Sequence, residues 1–309
     1  MKESFQYVGS LVDAIAQLDG FFDQFLKDLM INSQGINLDV RNDFVAHFGE
    51  RAVYLTDHLE PLNGDAEEQL FCIQLTNAEV VSNALDGVLN KDNTAEKKEL
   101  DGQSYWTIDP NGEVNVADPK DPFFEDPFDD NPNGNANKPK KKRKRGLGSC
   151  VMVLRTDNNT GYLCFGVHEQ QLIDVIKQRK NTATLVQQPN YVAVDKALKQ
   201  LANNNLSFRS FVETDRAHRL NYELFRLGEF LEANTVLAKT LKQAFPTEKE
   251  KVLPNGRKIP AKNPNAQPLF NPNGQKLPPF KKVKQYFRPA GIAVESVDGG
   301  WLIHGAVLP

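Results

Sequence analysis

Apolar positions along the chain alternate between two periods. Leu11, Ile15, Leu18, Phe22, Phe25 and Leu29 recur at steps of three and four, which places them on one stripe of a helix. Ser10 and Asp13 have the spacing of a capping box at its start, and Gly20 makes two short helices as consistent as one long one. GERAVYLTDHL and EEQLFCIQL are β-rich runs on either side of the turn-forming PLNGD, so residues 50–75 are predicted to form an antiparallel hairpin. NAEVVSNALDGVL returns to helical spacing through Val80, Val81, Ala84, Leu85 and Val88. KKELDGQSYWTID then carries Asp101-Gly102, the pair a tight hairpin turn requires.

Residues 110–146 break this rhythm. They are rich in Pro, Asn, Gly and charge and nearly devoid of aliphatic side chains, so burial cannot offset their ordering entropy and the composition predicts disorder. SCVMVLR and GYLCFGV resume the strand pattern, and HEQQLIDVIKQR follows as a helix. Three more helical faces are predicted: Tyr191, Val194, Leu198 and Leu201; Ala217, Leu220, Leu224 and Leu227; Leu237, Leu241 and Ala244. SFRSFV reads as a short strand between them. LPNGRKIP and NPNGQKLPP place Pro, Asn and Gly as turns would, within an extended arm. GIAVESV and WLIHGAVL flank Asp298-Gly299-Gly300 as a closing hairpin, expected to bury one apolar face in the main sheet.

Paired strands and helices without a strand, helix, strand rhythm predict an α+β fold, a mainly antiparallel sheet of hairpins with helices packed on it. Residues 1–117 would supply the N-terminal helices and first hairpins, residues 118–146 a disordered acidic-then-basic insertion, and residues 147–309 the rest of one composite domain. The strands flanking the insertion can share a sheet, because a long loop adds little closure entropy.

Composition narrows the function classes. The chain has 309 residues with ordinary hydrophobic and charged content. It contains no run of about 18 apolar residues, so no transmembrane segment is expected and a soluble chain is. The net charge is −3, and residues 118–145, with eight Lys/Arg and six Asp/Glu, hold a local +2 that leaves −5 on the remainder. An acidic folded part argues against sequence-specific nucleic-acid binding. Three scattered cysteines are too few for a disulfide framework or a zinc site. Cys72 reads as a small buried hydrophobe. A turn centred on Asn159 and Thr160 would set Cys164 opposite Arg155, which disfavours a bridge to Cys150.

Catalytic templates fail in turn. There is no phosphate-binding G-x-x-x-x-G-K-[ST], GLGSCV lacks the third glycine of a dinucleotide loop, and no G-x-S-x-G occurs. His168-Glu169 opens like a zinc-protease helix, but Leu172 stands where the second ligand is needed. Asp57 and His58 are adjacent at a strand end, where alternation points neighbours to opposite faces. Asp129 to Gly134 matches half of a calcium loop, with Lys140 where the bidentate Glu belongs. No catalytic, metal or cofactor residue is therefore assigned, and no cofactor is expected.

The sharpest local signal is Lys140, Lys141, Lys142, Arg143, Lys144 and Arg145. It resembles a nuclear-import signal and can also contact polyanions, but it reads first as a solvated charge run that the six upstream carboxylates can fold back on and neutralise.

Three stretches together, residues 35–85, 207–228 and 277–308, resemble an uncharacterised family of hypothetical proteins from planctomycete-type bacteria, distantly similar to a bacterial domain of unknown function. The resemblance implies a longer N-terminus with an export signal, hence an exported or envelope setting in preference to a cytoplasmic or nuclear one. It establishes no catalytic residue.

The expected function is a non-catalytic structural or interaction module of a bacterial envelope or exported protein, with protein partners or self-association and weak polyanion binding. The alternatives are a hydrolase with dispersed Asp and His, and a nuclear-imported interaction protein using Lys140 to Arg145. Replacing residues 118–145 by a short Gly/Ser loop is expected to abolish retention on heparin and to shift stability by no more than about 1 kcal/mol, since loop closure changes by only ~0.6 kcal/mol per doubling.

Overall fold

A computed structural model describes residues 40–109, 150–156, 160–178, 184–202, 206–244, 251–252, 258–259 and 274–309. The fold is α+β with antiparallel sheets. The strands, in chain order, are β1 Phe48–His58, β2 Glu67–Leu75, β3 Ala95–Leu100, β4 Gln103–Ile108, β5 Cys150–Arg155, β6 Gly161–Gly166, β7 Leu206–Val212, β8 Lys251–Val252, β9 Lys258–Ile259, β10 Ala290–Val297 and β11 Gly300–Val307. The helices are α1 Ala78–Leu89, α2 Glu169–Gln178, α3 Pro189–Leu201, α4 Thr214–Ala217, α5 Arg219–Leu227, α6 Val236–Ala244 and α7 Phe280–Val283. The chain divides into two compact units, one of residues 1–55 and 69–178, the other of residues 56–68 and 179–309. The predicted stripe at residues 11–29 and the segment 118–145 lie outside the described residues.

The first unit is built on a six-stranded sheet of order β1-β2-β6-β5-β4-β3. β4 pairs with β5 through Tyr105↔Met152, so the strands before and after residues 110–149 do share one sheet. Its central strands are apolar on both faces. Phe71, Ile73, Leu75, Trp106, Val151, Val153, Leu163 and Phe165 face one side, where Val81, Leu85 and Val88 of α1 cover them. Leu70, Cys72, Tyr105, Cys150, Met152 and Cys164 face the other, under Leu172 and Ile176 of α2. Asn77 caps α1 by accepting from the Val80 N–H at 3.2 Å. Asp101 (φ 54°) and Gly102 (φ 75°) form the β3–β4 turn, both in the left-handed region that a two-residue hairpin demands.

The two aromatic residues of β4 tie the sheet to both helices. Trp106 Nε1 donates to Asp86 Oδ1 of α1 at 2.9 Å, and Lys97 reaches the other oxygen at 2.6 Å. On the opposite face the Tyr105 hydroxyl donates to Glu169 of α2 at 2.9 Å, beside Lys98 at 3.1 Å. Burial, followed by that hydrogen bond, pushes the Tyr105 phenol up to about 12.

The cysteine expectation is corrected. β2 and β6 are neighbours, and their register sets Cys72 directly opposite Cys164, with Cα atoms 4.1 Å apart and a disulfide between them. Cys164 also faces Met152 on β5, not Arg155, because the hairpin turn is longer than two residues and pairs Arg155 with Gly161. Cys150 remains a buried thiol that donates to the Gly166 carbonyl at 3.2 Å.

In the second unit, β7, β10 and β11 make a separate three-stranded sheet of order β11-β10-β7. The C-terminal hairpin thus forms as predicted, with Gly299 at φ 90°, but joins β7 and not the main sheet. Val194 and Leu198 of α3 pack on Ala293 beneath it. A second cluster joins Leu220 and Leu224 of α5 to Phe230, Ala233, Ala238 and Ala66. The helical stripes hold in their middles and fail at their ends. Leu201, Leu227 and Leu237 are exposed, and Ala217 belongs to α4, which is separated from α5 at His218. Among the described residues no helix is long and apolar enough to cross a membrane.

Two thiol counts check the disulfide. Denatured, non-reduced protein is expected to present one titratable thiol and reduced protein three. Replacing Cys72 and Cys164 together by Ala is expected to cost about 2–4 kcal/mol in denaturant melts, as for a bridge that closes a long loop.

Candidate functional site

Asp57 and His58, expected as strand neighbours not to act together, do not hydrogen-bond through their side chains. They are the last two residues of β1, and a loop containing the cis Glu60–Pro61 bond follows. His58 Nδ1 lies 3.7 Å from Asp57 Oδ1, too far for a hydrogen bond. The carboxylate is already committed elsewhere. Arg216 grips it with two donors, Nε to Oδ1 at 2.8 Å and Nη2 to Oδ2, and the His58 backbone N–H also donates to Oδ1 at 2.9 Å. Arg219 pairs with Glu60 at 2.7 Å. The His58 side chain is only 7% exposed, and burial holds its pKa below 6.5. Such a group braces a turn against two helices, and Asp57 has no free oxygen with which to orient the imidazole as a base.

Other titratable groups also serve the fold. Under the three-stranded sheet, His304 Nε2 and Glu295 Oε2 are 3.1 Å apart, with Glu295 2% exposed. Asp195 of α3 meets Arg209 of β7 and Lys199 one turn on. His218 rests against the Phe287 ring, and His47 uses its carbonyl to accept from Thr76. His168 precedes α2 while its neighbour Glu169 binds Lys98 and Tyr105. Among the described residues no three His, Cys, Asp or Glu gather as metal ligands. Lys140, Lys141, Lys142, Arg143, Lys144 and Arg145 lie outside the described residues.

What composition did not single out is a surface. In the three-stranded sheet, alternate residues point away from α3: Phe208 on β7, Ile292 and Val294 on β10, Ile303, Gly305 and Val307 on β11. The register aligns them, with Phe208, Val294 and Ile303 in one row and Ser210, Ile292 and Gly305 in the next. Ile303 is 68% and Val307 71% exposed, and Phe208 and Ile292 are exposed as well. A contiguous apolar sheet face of this kind marks an interaction surface far more than scattered exposed residues do. The sequence signal was present: WLIHGAVL is apolar at nearly every position, whereas a half-buried strand would alternate with polar residues.

Compared with known proteins, the chain matches no family model, no curated protein and no solved structure.

The lowered His58 pKa has a sign. The unfolded chain takes up the proton more readily than the folded one, so folding stability is expected to fall as the pH drops through about 6.5. In His58→Gln that part of the slope should vanish, as chemical-denaturation curves at pH 7.5 and pH 5.5 would show.

Proposed function

We propose that this chain is a non-catalytic interaction module of an exported or envelope-associated bacterial protein, and that it binds through the open face of the β7-β10-β11 sheet. The observation that carries the reading is that face itself. A three-stranded sheet needs one covered face to be stable, and α3 supplies the cover on its inner side. The apolar row on its outer side adds nothing to that inner core, and exposing Ile303 and Val307 to water is unfavourable at about 25 cal/mol per Å² of apolar area, a cost that burial against a partner removes.

The compartment rests on two supports. Cys72 and Cys164 are bonded, which suits an oxidising environment, and the resemblance to planctomycete-type proteins implies export. The hydrolase alternative depends on dispersed Asp and His acting together; among the described residues Asp57 and His58 lie 3.7 Å apart, and Arg216 already occupies the carboxylate. The nuclear-import alternative depends wholly on Lys140 to Arg145.

A face kept apolar for binding tolerates charge where a core does not. Ile292→Lys and Ile303→Lys are each expected to change folding stability by no more than about 0.5 kcal/mol, as ordinary surface substitutions do, while weakening retention on a hydrophobic-interaction column. A loss of several kcal/mol would show that the folded chain buries these residues and would overturn the reading.

A further inference from the structure

We infer that residues 275–288, which carry α7, form a docking surface for an anionic lipid bilayer, separate from the open sheet face. The sequence sets the charge. Between Glu250 and Glu295 the chain has no Asp or Glu, and Lys276, Lys281, Lys282, Lys284 and Arg288 lie close together within that stretch. In a chain of net charge −3, a carboxylate-free run of this length is a local reversal of sign.

The fold fixes this run on α5 and turns its cations to solvent. Phe280 is buried, its ring 5.4 Å from that of Tyr222 and 5.2 Å from that of Phe287. The Phe280 N–H donates to Glu223 Oε1 at 2.8 Å, the Tyr222 hydroxyl to the Pro278 carbonyl at 2.7 Å, and the Thr214 hydroxyl to the Arg288 carbonyl at 2.7 Å. Lys276, Lys281, Lys282 and Arg288 are exposed. Among the described residues no carboxylate pairs with them, whereas Lys284 meets Asp215 at 3.1 Å. The acids along α4 and α5 are taken by other cations: Asp57 by Arg216, Glu60 by Arg219 and Glu223 by Arg226.

Two features favour a lipid surface over a polymer chain. Exposure is continuous from Gln275 to Pro279 and again from Lys284 to Tyr286, so the segment stands out from α5 as a ridge. A single-stranded nucleic acid is tracked by a basic groove, whereas a ridge meets a flat surface. Apolar side chains are also exposed among the cations, Leu277 at 38% and Tyr286 at 75%. On a bilayer the tyrosine ring sits at headgroup level, and lysine stems lie along the acyl boundary while their ammonium groups meet lipid phosphates. The envelope setting proposed above supplies such a surface.

The test uses the full chain and vesicles of phosphatidylcholine with or without phosphatidylglycerol. Co-sedimentation is expected with vesicles that are about one-third phosphatidylglycerol, and not with phosphatidylcholine alone. Lys281→Glu together with Lys282→Glu is expected to weaken it at least about tenfold, and Tyr286→Ala about threefold. Circular-dichroism melts should stay unchanged in both, since these side chains are exposed. Lys140 to Arg145 can also contact anionic lipid, so the chain with residues 118–145 replaced by a Gly/Ser loop is measured alongside and is expected to keep its binding. Binding that disappears with that replacement, or that either variant leaves unchanged, would overturn the assignment. A full chain that binds neither kind of vesicle overturns it as well. Heparin retention that survives the loop replacement and is lost in the double lysine variant, with no vesicle binding, would make a free polyanion the ligand and overturn the lipid reading.

Discussion

The pairing of β2 with β6 is the constraint on which the first unit depends. It joins residues 92 positions apart, sets Cys72 against Cys164, and places β6 between β2 and β5 in the interior of the sheet. A sheet covered by a helix on each face needs interior strands that are apolar on both sides. LFCIQL, CVMVLR and GYLCFG satisfy this, and α1 and α2 then have only one place each to go. Close packing at the strand ends enforces the register. An added Cβ at Gly166 would stand 2.9 Å from Cys150 Sγ and 3.2 Å from Leu172, and at Gly161 it would meet the Leu154 carbonyl. A slip of one residue would both invert the faces and bring side chains into the space that these glycines leave.

Much of this was legible because it is local. Asp101-Gly102 and Asp298-Gly299 announce their turns through the backbone conformations they permit, and strand alternation announces which residues share a face. Strand order is not local. Nothing in EEQLFCIQL states that its second neighbour is GYLCFG, so Cys72 passed for a small hydrophobe, and the C-terminal hairpin was expected in the wrong sheet. The Asp57–His58 brace was missed for a related reason. These residues close β1, and Asp57 is held by Arg216, 159 positions away, a contact no local pattern announces.

The candidate surface shows the opposite balance, with composition carrying a signal that pattern rules pass over. In β10, Gly291, Ala293 and Glu295 point to the covered side and Ile292 and Val294 to the open one. The small residues lie inward, where α3 must come close: an added Cβ at Gly291 would lie 3.0 Å from Leu198, with Val194 nearer still. The larger apolar ones lie outward. A strand built only to stabilise its own fold would reverse this, placing bulk against the helix and polar groups in water.

That inversion also distinguishes the two ways a sheet can end. β3, at one edge of the large sheet, alternates Glu96, Lys97, Lys98 and Glu99, and two of these still serve the fold, Lys97 through Asp86 and Lys98 through Glu169. Charge there stabilises the unit and repels other strands at once, with no conflict between the two tasks. β11 has no Asp, Glu, Lys or Arg to set against association, and its inward positions include Ala306, packed with Ala293, and His304, paired with Glu295. Because the inner face is held by Val194, Leu198 and Ala293 with Leu206 and Phe211 packed against them, the exposed β-branched residues on the outer face contribute little to holding the hairpin in place. Their burial area is left for whatever surface comes to meet that face.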